Sequence, residues 1–513
     1  MAFALIGPMA ISTRQGESTS VTYQAVRTSR PYRKVTFSVV GLPAGITGTF
    51  NPAGGTPTVT TTLRLTASPS SPVGDFPVQV RARDAKSTKT IEVTLSNYLN
   101  RPVDPVPVTA DVWVAKAADG GSESNDGRSQ DTPKLLINSG FTVLNSLGGG
   151  KKMVIKQGTY TEDLNNNIPS GSSWSDGSLT KIHGYSGHTV IIKPATARNQ
   201  LGHVLSLGSL SYIEFQDLEI DADYPNIAPT SGVGYSAFGI QSCDHIRLRR
   251  VVMHDCNSSF VLLGTSVQTF CEFVDCEIYN TGLDLAYGPG GNALYIEASN
   301  NLVDGGSYHH NGRGFGVRFG RSTAGFGLAS NNVCRNARFY NNSEVAGNGG
   351  TITFWDEDNS VYNCLFYNNS GGMQVGRSAD VRRAKLYNCT WFNDTVGGQN
   401  GIVEIGQSVN ADDCEFKNLV FRSCQAPLLF LGTGTGNVFS KCQAEAAATN
   451  IDVVADCNFV SETSSSADFL KLSSTSGGRN TGTSTSPTVT TDIIGTTRPK
   501  GGTYDIGAYE YDE

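Results

Sequence analysis

From about residue 180 to 470 the chain keeps returning to one pattern. Short runs with an apolar residue at every second position recur at a spacing of roughly 20–36 residues, each closed by small or polar residues. Ile240, Leu263, Ile296, Phe319, Trp355, Val375, Ile405 and Leu431 mark the ends of successive runs. A second series reads Asn280, His310, Asn341, Asn368, Asn393 and Asn418, within YNT, HHN, YNN, YNN, FND and KNL. A third places Cys276, Cys364, Cys389, Cys414 and Cys457 in C-x-apolar units. A unit this short cannot bury its own apolar face, so it must stack on its neighbours. The pattern therefore predicts a solenoid of β-coils. In it the asparagines form a ladder, each amide bonding one coil away, and His310 is a rung of that ladder. The cysteines read as free thiols buried like small hydrophobes, and no C-x-x-C or C-x-x-H pair supports a metal site.

The chain of 513 residues is long enough for two or more domains. With 58 glycines and only 17% charged residues it is a turn-rich, all-β composition. A net charge of −7 argues against a nucleic-acid or anionic-membrane partner. No apolar run approaches the ~20 residues of a membrane helix. The opening MAFALIGPMAISTRQGES has no basic stretch before its apolar residues and so makes a poor secretory signal.

Three segments follow from composition. Residues 1–98 alternate as strands broken by Gly/Pro turns, as in VTFSVVGLPAGITGTFNPAGG, and are expected to form a small β-sandwich. The segment resembles the Ig-like modules that accompany bacterial and phage carbohydrate-active proteins. Residues 99–110 are a Pro-rich, extended connector. Residues 111–513 hold the repeats. They open on VWVAKAADGGSESNDGRSQDTPKLLINSGFTVLNSLGGGKKMVIKQGTY and close on RPKGGTYDIGAYEYDE. Both end motifs resemble those of right-handed parallel β-helix proteins of the pectate-lyase-like group. The resemblance implies an all-β right-handed parallel β-helix behind an Ig-like sandwich, active on carbohydrate, in an extracellular or virion-associated setting. In the opening motif a helix is expected from Thr132-Pro133, with Leu135, Leu136, Ile137, Phe141, Val143 and Leu144 as its apolar face, capping the solenoid.

Charge gathers on a few neighbouring repeats. Aligned on Ile296, Phe319, Trp355 and Val375, the next positions read Glu297, Gly320, Asp356, Gly376, then Ala298, Arg321, Glu357, Arg377. Coils stack at ~4.8 Å, so this alignment sets Glu297 and Asp356 about 9.6 Å apart at the backbone. Carboxyls ~6.5–9.5 Å apart suit an inverting glycosidase, one protonating the leaving oxygen while the other activates water. Glu297, Asp356 and Glu357 are the candidate catalytic residues. One position ahead of the markers, facing outward, stand Tyr295, Arg318, Phe354, Gln374 and Glu404. With Arg321, Asp358 and Arg377 they are the candidate substrate-binding residues: rings for stacking on sugars, guanidinium groups for carboxylate or hydroxyl. The insert Thr281–Gly291 would wall the groove, with Asp284 and Tyr287 as further candidates. The competing reading is that Glu297/Arg321 and Asp356/Arg377 are surface ion pairs.

Three functions fit. The first is a glycoside hydrolase needing no cofactor. The second is a polysaccharide lyase, the activity the family resemblance implies most directly. There Arg318, Arg377, Tyr295 or His309 would be the base, and Asp356, Glu357 and Asp358 could hold Ca²⁺. The third is a non-catalytic glycan-binding adhesin or phage tail protein. The partner is a polysaccharide in each case, and the chain is expected to be monomeric, or trimeric as a phage spike. GTGTGN at 432–437 is a Gly-rich turn rather than a phosphate loop, since no Lys-Ser/Thr follows. Asp221 and Asp223 in EIDAD read as turn residues.

Overall fold

The computed structural model describes residues 3–7, 10–14, 18–27, 33–68, 71, 74–98, 109–175, 177–195, 202–223, 235–256, 260–263, 269–282, 291–312, 314–320, 329–343, 349–376, 380–397, 400–407 and 409–511. Two compact units emerge: Met1–Pro102 with Phe459–Lys471, and Val103–Asn458 with Leu472–Glu513. The expected connector falls mostly outside the described residues.

In the first unit the alternation predicted from sequence becomes two small sheets. Phe3–Ile6, Ser18–Arg27, Val59–Ala67 and Ile46–Asn51 pair antiparallel in one sheet. Ala10–Arg14, Thr88–Tyr98, Gly74–Arg83, Val35–Val40 and Gly54–Gly55 make the other. Every second residue of Val59–Ala67 is buried, and Leu63 and Leu65 share a core with Tyr23, Val78, Val80 and Leu95. This arrangement is compatible with an Ig-like module.

The second unit is a parallel β-helix. Its coils build three long parallel sheets, which we call I, II and III in the order the chain visits them. Among the described residues sheets I and II have 12 strands each and sheet III has 9. Sheet I begins at Val112–Val114, sheet II at Gly158–Thr161 and sheet III at Gly202–Gly208. Inward side chains stack coil upon coil. Tyr308, Phe339, Phe366, Trp391 and Phe421 form one interior column with ring centroids 5.1, 5.1, 4.6 and 4.9 Å apart. Such burial supplies most of the stability, because each aromatic removes a large apolar area from water.

Corners between sheets use the left-handed backbone that asparagine tolerates. Asn280, His310, Asn341, Asn368 and Asn393 all have φ between 51 and 55°. Asn393 Nδ2 donates to Asn368 Oδ1 (2.8 Å), and Asn341 Nδ2 lies 3.2 Å from His310 Nε2. Asn418 belongs instead to the corner between sheets I and II, with Asn336, Asn363 and Asn388. Two further ladders lie inside. Asn311, Asn342, Asn369 and Asp394 link in series, as do Asn301, Asn332 and Asn359. All eleven cysteines are free and ten are buried. Cys276, Cys364, Cys389 and Cys442 share a column, whereas Cys414 sits one corner earlier.

The ends differ from expectation in one respect. The helix starts at Ile137, not at Thr132-Pro133, and ends at Leu147. Lys134 is drawn into a bridge with Val114, and Leu136 is left 39% exposed. The first helical N–H groups, of Ile137 and Asn138, are then capped by the Glu162 carboxylate at 2.8 and 3.0 Å. Phe141 and Leu144 join the core of the first coils. At the other end the closing segment lies on the outer side of sheet II. Ala508 N donates to Thr390 Oγ1 at 3.0 Å, and Asn388 Nδ2 donates to Asp505 O at 3.3 Å.

Candidate functional site

Sheet III carries the charged repeats, and its pairing fixes which side chains are neighbours. Ile240, Leu262, Ile296, Phe319, Phe354, Val375, Ile405 and Phe430 follow one another across the coils. Three expected markers, Leu263, Trp355 and Leu431, are therefore each one residue late. The strand Gly350–Phe354 is held by Ile352 and Phe354, which pair with Val317 and Phe319. Alternation, not ring size, set the register, and a slip of one residue exchanges the two faces.

Three consequences follow. Phe354 points inward, is fully buried and stacks on Phe319 at 5.7 Å, so it is not a sugar platform. Trp355 points outward in its place. Its indole N–H donates to Thr353 Oγ1 (2.9 Å), and its ring centroid lies 3.8 Å from Arg318 Cζ. Gly320 makes room for it, since a Cβ there would fall 2.6 Å from Trp355 Cβ. Asp356 shifts out of the column of Glu297 and into that of Ala298. It is 2% exposed, and its Oδ2 accepts the Ala329 N–H at 3.0 Å, tying down the connection one coil below.

The outward column of sheet III reads Tyr295, Arg318, Thr353, Gln374, Glu404. The Arg318 guanidinium lies against the Tyr295 ring, 4.4 Å from its centroid, as well as against Trp355. The Tyr295 hydroxyl donates to Glu297 Oε1, and Glu297 is 2% exposed. Tyr295, Glu297, Arg318 and Trp355 thus form one contiguous group: a carboxyl, a phenol, a fixed cation and two rings. Further along, Glu404 is buried and accepts hydrogen bonds from Asn400 Nδ2 (2.8 Å) and Gln374 Nε2 (3.3 Å).

The other expected residues disperse. Glu357 and Asp358 both bind Arg383 and belong to the corner leading into sheet I. Hydrogen bonding to Arg383 holds the Asp358 carboxyl below its ordinary range. With Asp356 occupied by Ala329, the three consecutive acids do not converge on one point. The lyase alternative loses His309, which is fully buried between Tyr279 (5.1 Å) and Tyr340 (4.5 Å), 3.4 Å from Glu277. Arg321, Arg377, Asp284 and Tyr287 lie outside the described residues.

Among the described residues one group has metal-ligand spacing, Asp221, His254 and Asp255. Its charge is met within the chain. Lys193 Nζ lies 2.6 Å from Asp221 Oδ2, and His254 Nδ1 lies 2.9 Å from Asp255 Oδ2. Burial pushes His254 down, but hydrogen bonds to Asp255 and Glu219 outweigh it and raise the imidazole to about 10. Asp223 N donates to Asp221 Oδ1 at 2.8 Å, a turn. Trp355 was the functional candidate that sequence reasoning missed. The Ile352/Phe354 alternation was the signal that would have found it.

A family model described as a right-handed β-helix region matches residues 258–444. With the three parallel sheets, that makes the second unit a right-handed parallel β-helix. No curated protein matches the sequence. Among solved structures, one titled "Crystal structure of the S-layer protein SbsC domains 4 and 5" is similar over 19% of this chain and 51% of that one, at 9% identity and a TM-score of 0.15. The chain therefore spans about half of that structure. Right-handed β-helices include polysaccharide-degrading enzymes, which fits the class expected from sequence.

Proposed function

We propose that the protein cleaves a polysaccharide lying along the outer face of sheet III, with the bond broken at Glu297. The observation that carries this reading is the Glu297 carboxyl, hydrogen-bonded by the Tyr295 hydroxyl and placed beside an Arg318 held on two rings. In hydrolysis Glu297 protonates the leaving oxygen, and Tyr295 returns a hydrogen bond to the resulting carboxylate. Trp355 and Tyr295 offer ring faces to sugar, and Arg318 orients hydroxyl or carboxylate groups. Asp356, buried in the column of Ala298 and held by the Ala329 N–H, is not placed to activate a water beside Glu297. The shift of Asp356 to the next column weakens the paired-carboxylate geometry. It favours a second reading, β-elimination of a uronate glycan. Tyr295, its own proton passed to Glu297, takes the proton beside the sugar carboxylate, which Arg318 neutralises. The glycosidic C–O bond breaks to leave a C=C bond, and Glu297 protonates the departing oxygen. The setting in either case is extracellular or on a virion.

A panel of neutral and uronate polysaccharides separates the readings. New reducing ends without ultraviolet absorbance from unsaturated products mean hydrolysis, insensitive to chelators. Unsaturated products mean elimination. Binding without either product in the wild type would make the protein a glycan-binding adhesin and end both.

A further inference from the structure

A second group of aromatic side chains stands at the corner between sheets III and I, on coils that precede the candidate site. One register position there, two ahead of a paired sheet I strand residue, is left-handed in successive coils. In order it carries Tyr212, His245, Phe270, Asn300, Asn331 and Asp358. Their φ values are 54, 54, 47, 64, 58 and 60°. Asn and Asp are the ordinary occupants of such backbone, whereas a bulky ring there is strained. Three successive coils carry a ring there; the column then reads Asn300, Asn331 and Asp358, followed by Arg383 and Asp413 with φ of 53 and 54°.

The rings make one continuous object. Tyr212 and His245 stack at 4.3 Å, and His245 and Phe270 at 5.2 Å. Trp174 meets Tyr212 and His245 edge-on at 5.9 and 5.7 Å, and Arg247 lies 4.4 Å from the Trp174 ring. His245 is held in place by Asp244, Nδ1 to Oδ1 at 2.8 Å. The interior does not need these rings, since the core side chains of these coils are elsewhere. Phe270 is 41% exposed, and among the described residues no ring stacks on its far side. That side faces the coil of Asn300, the same coil that supplies Tyr295 and Glu297. The strip therefore runs along the solenoid axis and stops one coil short of the candidate site.

We propose that Trp174, Tyr212, His245 and Phe270 form an accessory strip that holds a polysaccharide chain extending from the sheet III site, with Phe270 as the ring on which a sugar stacks. The proposal rests on the reading of sheet III as glycan-binding and adds where a longer chain is gripped. A rigid ring with an open face, backed by stacked rings and flanked by a guanidinium and carboxylates, suits the mixed apolar and hydroxylated faces of a sugar. It suits a short oligosaccharide at the cleavage point much less, because such a ligand would not reach the strip.

The test uses the full chain carrying Glu297→Gln, which keeps polymers intact, in affinity electrophoresis through gels containing starch, xylan, polygalacturonate or alginate. Tyr212, His245 and Phe270 are replaced together by Asn, the residue that the same column carries in later coils, so the fold should be kept or firmed. The polymer that retards the parent is expected to bind the triple variant at least tenfold more weakly. In the Glu297 parent sequence, kcat/KM on polymer should fall while that on short oligosaccharides stays. If the triple variant does not fold, Phe270→Asn alone carries the same expectation at smaller size. Equal retardation of a folded variant overturns the strip and leaves the cleavage reading intact. Retardation by none of the four polymers counts against both. Weakened binding without any cleavage by wild type supports the strip and rejects the cleavage reading.

Discussion

Sheets II and III present outward columns built from the same kinds of residue, and they use them in opposite ways. On sheet II, His254, Tyr279, His309, Tyr340 and Tyr367 occupy one register position, so their rings stack at 4.7, 5.1, 4.5 and 4.9 Å, nearly parallel. Their polar atoms are met beside them, His254 by Glu219 and Asp255, His309 by Glu277. On sheet III the rings of Tyr295 and Trp355 are two coils and two residues out of step, and a guanidinium rather than a third ring lies against them. The in-step column saturates itself and becomes structure. The out-of-step column leaves a carboxyl, a phenol and a cation with differing neighbours, which is what chemistry on a bound molecule requires.

The comparison can be broken most directly at its two centres. Glu297→Gln should lower turnover on the cleaved polysaccharide by about 10²–10⁴, the usual worth of a general acid, with unchanged thermal unfolding. Tyr340→Ala should do the reverse, destabilising by about 3 kcal/mol in urea titration while the folded fraction keeps its turnover. A Tyr340 variant that folds normally yet loses activity would show sheet II to be functional. Arg318→Lys keeps the charge but gives up the flat group that lies on the rings, and should raise KM about tenfold.

Two pH effects sharpen the structural side. Asp394 ends a buried amide ladder, and burial lifts its carboxyl to about 8 against hydrogen bonds from Asn369. A raised carboxyl favours the folded state fully at low pH and loses that advantage as pH climbs from about 4 to 8. Asp394→Asn should therefore gain several degrees in Tm at pH 9 and almost nothing at pH 4. For His254 the raised imidazole adds stability below about 6.5 that fades as pH rises toward 10. The gap in urea midpoint between wild type and His254→Gln should narrow over that interval, a smaller effect.

Much of the fold was legible. The alternation in VTTTLRLTA became a strand buried at every second residue, and the YNN-type units became left-handed corners because Asn pays little for that backbone. Even there, one rung was misplaced. Asn418 has the local look of the others but turns a different corner, and local sequence does not say which corner a turn makes. The helix start was misread at Thr132-Pro133 because Glu162, 25 residues past Ile137, supplies the cap. The arrangement on sheet III was half legible. Glu297, Tyr295 and Arg318 were correctly set side by side because each stands beside an apolar marker that alternation places well. Trp355 and Asp356 were misplaced because two adjacent large apolar residues, Phe354 and Trp355, both fit the inward slot by type.

The repeat length, the inward apolar alternation and the small-residue corners are local properties, and they sufficed to determine a stacked parallel solenoid preceded by a separate β unit. Which side chains from different coils touch was decided only in the folded molecule. Cross-coil backbone hydrogen bonds and the interlocking of interior rings choose the register. A one-residue choice there turned Phe354 into core and Trp355 into surface.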